Sequence, residues 1–114
     1  MKEIIDESGL EAAVAMSEES PVFLFKHSTT CPISSAAYRE VAEYEGAVGG
    51  VDSVYLIKVI ESRPVSNAVS ARTGVTHQSP QLLLVDSGEV VWNASHYEIS
   101  KEKMVSAAGG EKRE

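Results

Sequence analysis

The sequence predicts an α/β domain: one mixed sheet of four to five strands with helices on both faces. Three observations carry this. Helical and strand signals alternate along most of the chain. Two strand signals are separated only by Asp86-Ser87-Gly88, which makes them an antiparallel hairpin. The length, 114 residues, suits one domain, residues 1–114, burying roughly 65% of the surface its unfolded chain exposes.

The elements follow in order. Glu3-Ile4-Ile5 is a weak strand signal. Ser8-Gly9-Leu10-Glu11 has the form of a capping box, and Leu10, Ala13, Val14 and Ser17 recur at helical spacing, so a helix is expected from Gly9 to Glu18. Pro21 blocks its continuation. Val22 to Lys26 reads as a buried strand, and His27-Ser28-Thr29-Thr30 as a polar loop leading to Cys31-Pro32. A second helix is expected from Pro32 to Tyr44. Thr30 is its candidate N-cap, Pro32 has its torsion preset for a first turn, and Ala36, Ala37, Val41 and Tyr44 face inward. Gly46, Gly49 and Gly50 are read as its end.

Ser53 to Ile60 is a second buried strand, rich in Val, Ile and Tyr. Ser62 caps a third helix, with Pro64 in its first turn, Val65, Ala68 and Val69 inside, and Gly74 as its stop. Gln81 to Val85 and Glu89 to Asn93 form the hairpin. Ser100 caps a last helix, Lys101 to Ala108, and residues 110–114 are expected to be a frayed tail. Strands joined through helices are expected to be parallel neighbours, with the hairpin adding an antiparallel edge.

Composition narrows the function. Ten basic against 17 acidic residues give a net charge of −7. That argues against nucleic acid and against an anionic membrane as partners, since both need clustered Lys and Arg. The longest apolar runs, Val22 to Phe25 and Leu82 to Val85, are far short of a membrane span, and Met1 to Asp6 has no signal-peptide character. A cytoplasmic location is expected. One cysteine excludes an internal disulfide and leaves a reduced thiol as the default state. The cysteine and three scattered histidines lack metal-site spacing, so no metal and no tightly bound cofactor is expected.

Cys31 sits where a buried strand gives way to a helix. A thiolate there meets unpaired backbone amides and the positive end of the helix dipole, and both favour the anion. Its flanks, Ser28, Thr29, Thr30, Pro32, Ser34 and Ser35, form no apolar wall around a buried thiol. Ser79-Pro80, just before a strand, is either a plain strand start or a cis peptide aiming the Ser79 backbone at the Cys31 helix.

Thr30-Cys31-Pro32-Ile33-Ser34 resembles the active-site segment of the monothiol bacilliredoxins, the YtxJ-like proteins of the bacillithiol system within the thioredoxin superfamily. The resemblance continues through 25–28, 59–64, 77–81 and 94–96, and spans Pro21 to Met104. It implies a thioredoxin-like fold. It also implies a cytosolic redox protein that reduces mixed disulfides between protein thiols and bacillithiol, with bacillithiol as co-substrate and S-thiolated proteins as clients.

Carried over, Cys31 is the attacking cysteine and Pro80 the cis-proline, with Ser79 pairing with the bound thiol. Thr30, Pro32 and Gln81 belong to the same substrate-binding segments. At position 34, where dithiol thioredoxins carry a second cysteine, this chain has serine. It cannot close an internal disulfide, so an outside thiol must release the adduct, and Ser34 could donate a hydrogen bond to the thiolate. Lys26, His27, His77 and His96 are candidates for positive charge or proton transfer near Cys31. Lys26 is the best of them for attracting an acidic head group. Trp92 and Tyr97 read as core or edge aromatics. Two other readings stay open. One is an iron–sulfur carrier of the monothiol-glutaredoxin kind, against which Pro32 argues. The other is a redox-inert thioredoxin-fold adaptor.

Overall fold

A computed structural model describes residues 1–47 and 53–109. The element order is β1 (Lys2–Glu3), α1 (Glu7–Met16), β2 (Val22–His27), α2 (Pro32–Ala47), β3 (Val54–Lys58), α3 (Arg63–Thr73), β4 (Gln81–Asp86), β5 (Glu89–Ser95), a 3-10 turn (His96–Glu98) and α4 (Lys101–Ala108). The five strands form one mixed sheet in the order β1-β3-β2-β4-β5. Among the described residues no helix is long and apolar enough to cross a membrane.

Strand alternation divides the core. Phe23 and Phe25 of β2, with Leu82 and Leu84 of β4, pack against Ala37, Val41 and Tyr44 of α2 and Met104 and Ala107 of α4. Val22 and Leu24, with Leu83 and Val85, pack against Leu10, Ala13 and Val14 of α1 and Val65 and Val69 of α3. Both faces are therefore covered, as expected.

One crossover departs from expectation. β2 and β3 are parallel, but β4 lies on the other side of β2 and runs antiparallel to it. Gly74 stops α3 in the left-handed region, at φ 76°. The segment 74–80 then has reach enough, at roughly 3.3–3.6 Å per extended residue, to carry the chain back to the end of the sheet where α3 began. Gln81 consequently pairs with Lys26 at the carboxyl end of β2.

Local details also shift. α1 is capped by Asp6, not Ser8: its Oδ1 accepts from the Gly9 amide at 2.8 Å. A carboxylate gains more than a hydroxyl from the helix dipole, and the helix starts two residues early. Cys31, not Thr30, flanks α2, because its carbonyl accepts from the Ser35 amide at 2.9 Å. Gly46 does not end α2, which continues through it to Ala47; Gly49 and Gly50 lie outside the described residues, as do 110–114. Ser62 precedes α3 but caps it only through its backbone carbonyl. The hairpin turns on Ser87 and Gly88, both at positive φ, as a two-residue turn matching the sheet twist requires.

Candidate active site

The carboxyl end of β2 is where the expected residues converge. β2 runs into the 28–30 loop, Cys31 and the start of α2. The Val59 amide donates to the His27 carbonyl at 3.0 Å, which brings the β3–α3 turn alongside. The antiparallel β4 starts at this same end with Pro80 and Gln81. The Ser79–Pro80 peptide bond is cis. The His96 amide donates to the Pro80 carbonyl at 3.0 Å, tying the 3-10 turn to that loop.

Cys31 is half-buried, so the thiol is not a sealed core group. Its amide donates to the Ser28 carbonyl at 3.3 Å, closing the loop into a turn. Thr29 Oγ1 donates to Glu61 Oε2 at 3.3 Å and fastens the loop to the β3–α3 turn. Thr30 and Pro32 are exposed beside the thiol.

Ser34 is fully buried, not solvated. Its Oγ accepts from the Ser28 amide at 2.9 Å and lies 2.7 Å from His27 Nδ1. His27 belongs to β2, not to the loop, and its position puts it on the α2 face. Its ring stacks on Phe25 at 5.6 Å and lies 5.0 Å from the Tyr38 ring. Burial pushes its pKa below the ordinary histidine value; Glu61 opposes that shift and Lys58 adds to it.

Lys26 corrects its expected role. It is 0% exposed and cannot attract a ligand from solvent. Its position directs it to the α3 face, where Nζ donates to Ser70 Oγ at 3.0 Å and His77 Nδ1 at 3.1 Å. Since an ammonium only donates, Nδ1 of His77 is the acceptor and its ring proton sits on Nε2. Burial lowers the Lys26 pKa to about 8. The His77 pKa is lowered by burial and then by Lys26 and Arg63. Gln81 shares this face, with Nε2 donating to the Thr76 carbonyl at 3.0 Å. Lys26, His77 and Gln81 therefore brace the 74–80 loop from behind, while Cys31, Ser34 and His27 sit on the α2 side.

Some residues at this end were not anticipated. Ile60 is 52% exposed and Tyr97 80% exposed, so Tyr97 is no core or edge aromatic. Trp92 is an edge aromatic, meeting the Phe23 ring edge-on at 6.2 Å. The signal for Tyr97 was the break in alternation after Ser95, where His96 takes φ 54°. An open cleft of about 320 Å³ runs between Ile33, Ala36 and Ala37 of α2 and His96 and Tyr97. A larger cavity, about 450 Å³, lies along β5 and the end of α3 and contains none of the expected site residues. The chemistry, not the volume, locates the site.

The family model described as Monothiol bacilliredoxin BrxC matches residues 2–104. The chain belongs to the monothiol bacilliredoxin family. Among solved structures, one described as a putative oxidoreductase with a thioredoxin fold is 31% identical, with a TM-score of 0.84 over 93% of this chain and 91% of that one. The thioredoxin of Fasciola hepatica is 12% identical, with a TM-score of 0.76 over 98% of this chain and all of that one. A mutant thioredoxin from Halobacterium salinarum is 16% identical, with a TM-score of 0.72 over 96% of this chain and 88% of that one. At those lower identities the likeness is one of fold. The family and the thioredoxin-type fold together support a redox function.

Proposed function

We propose that this bacilliredoxin-family chain is a monothiol-disulfide oxidoreductase that removes bacillithiol from S-thiolated proteins. One observation carries the reading: a half-exposed thiol flanks the long helix α2, and the position three residues on is a buried serine. The thiol can attack, but the chain holds no second thiol to resolve the adduct. Cytoplasmic action fits a reduced thiol.

The Cys31 thiolate attacks the bacillithiol sulfur of the client's mixed disulfide. The client–bacillithiol S–S bond breaks, the client leaves as a thiolate that takes a proton from water, and a Cys31–bacillithiol disulfide forms. A free thiol from solution, in the simplest case another bacillithiol, attacks the bacillithiol sulfur of that adduct; the Cys31–bacillithiol bond breaks, Cys31 leaves as the thiolate, and the two small thiols depart joined as a disulfide. In this reading the Ser79 backbone and the exposed residues Thr30, Pro32, Ile60 and Tyr97 would receive the thiol and its client. Ser79 Oγ is buried without a hydrogen-bond partner among the described residues.

The test is a competition between matched substrates. One client is prepared with bacillithiol and with glutathione on the same cysteine, and kcat/KM is measured for each with the same free thiol as resolver. Preference for the bacillithiol form by tenfold or more, about 1.4 kcal/mol, supports the reading. Equal rates would leave a general thiol-disulfide exchanger.

A further inference from the structure

Between Ser34 Oγ and His27 Nδ1, 2.7 Å apart, there is room for one hydrogen. The Ser28 amide already donates to Ser34 Oγ. When Nδ1 of His27 is bare, Ser34 gives its only hydrogen to the ring and has none left. When Nδ1 carries a proton, the bond reverses. Oγ then accepts from both Ser28 and His27, and its own hydrogen is released. Ser34 stands three residues after Cys31, on the same side of the first turn, so the thiolate is the anion best placed to accept it.

We infer that Ser34 is a switchable donor to the Cys31 thiolate and that His27 is the positioning residue that turns it on. No covalent bond changes. One proton added to the His27 ring becomes one extra hydrogen bond to the thiolate, passed on by reversal of the Ser34 bond. The groups facing His27 are Lys58 on β3, Glu61 in the turn after it, and Tyr38 on α2; Arg39, also on α2, shares a cavity of about 240 Å³ with the ring. Burial and Lys58 keep the ring neutral at pH 7, and Glu61 limits that effect. The switch therefore works below the ordinary histidine range.

This deepens the reading of Cys31 as the reacting thiol, and its test needs no bacillithiol. The rate of Cys31 alkylation by iodoacetamide is followed from pH 8 to pH 4.5. A lone thiol loses tenfold per pH unit on its acid side. The wild type is expected to stay above that line at pH 5, by about threefold or more, as two coupled sites require. His27→Gln and Ser34→Ala should both fall back to the single line, and Ser34→Thr, which keeps the hydroxyl, should retain the excess.

Should Ser34→Ala fail to fold, His27→Gln and Ser34→Thr decide. The excess at pH 5 should vanish in the first and survive in the second. A wild-type profile on the single line, or an excess that survives in His27→Gln, would overturn the inference.

Discussion

Lys26 and His27 are adjacent on β2, and the strand sends them to opposite faces of the sheet. Each is buried, each reaches a serine hydroxyl, and each titrates below its ordinary value. Their surroundings differ. His27 has Glu61 to favour its charge and a contact to Ser34, three residues after Cys31 in the chain. Lys26 pairs with no carboxylate among the described residues, and the ring it holds, His77, has Arg63 as a further positive neighbour. One side faces the start of α2 beside Cys31. The other carries a charge at a cost and holds the loop before Pro80 in place. Burial of a titratable group does not by itself mark catalytic machinery; its neighbours decide what the group does.

The sharpest way to separate the two sides starts at the thiol. Cys31→Ser should reduce mixed-disulfide turnover to background, while Lys26→Met should leave it within a few-fold of wild type. Steady-state rates on one thiolated client check both. Equal losses would erase the distinction.

Next in size is Ser34→Ala. It strips partners from the Ser28 amide and from His27 inside the structure, and should cost about 1–3 kcal/mol in urea unfolding at pH 7. Lys26→Met should go the other way, gaining about 1–2 kcal/mol at pH 7, because an apolar side chain replaces an ammonium with no opposite charge. The pH dependence fixes the cause. The native protein gives up this proton near pH 8 and the unfolded chain near 10.5. Between those values the unfolded state binds more protons, so the wild type gains stability as pH rises. The advantage of Lys26→Met should be full below pH 8 and fade towards pH 10.5.

The smallest effect is the most selective. Glu61→Gln removes the carboxylate that favours charged His27, so the His27 titration should move down while that of His77 stays in place. Arg63→Gln should move His77 up and leave His27 alone. NMR titration of both rings in both variants checks this.

Much of this arrangement was legible in the sequence. The helices and strands of the core followed from apolar spacing, and Cys31 with Ser79-Pro80 from the segments around them. The direction of β4 was not legible, because a crossover with a long return segment can re-enter the sheet from either end. The division of Lys26 from His27 was within reach: extending β2 by one residue puts them on opposite faces by alternation alone. Ending the strand at Lys26 hid it. Ser34 likewise falls on the inner stripe of α2 with Ala37, Val41 and Tyr44. Its polar character disguised that, since a hydroxyl is buried only where partners wait for it, and those partners lie on β2 and in the loop.

Cys31 itself is proposed to take the small thiol from the client. Intact-mass analysis of a single turnover tests this most directly, with a bacillithiolated client, a slight excess of this protein and no free thiol present. The client should lose its modification while this chain gains one bacillithiol, mapped to Cys31 and removed on adding free thiol. A client that stays modified while Cys31 remains unmodified would contradict this.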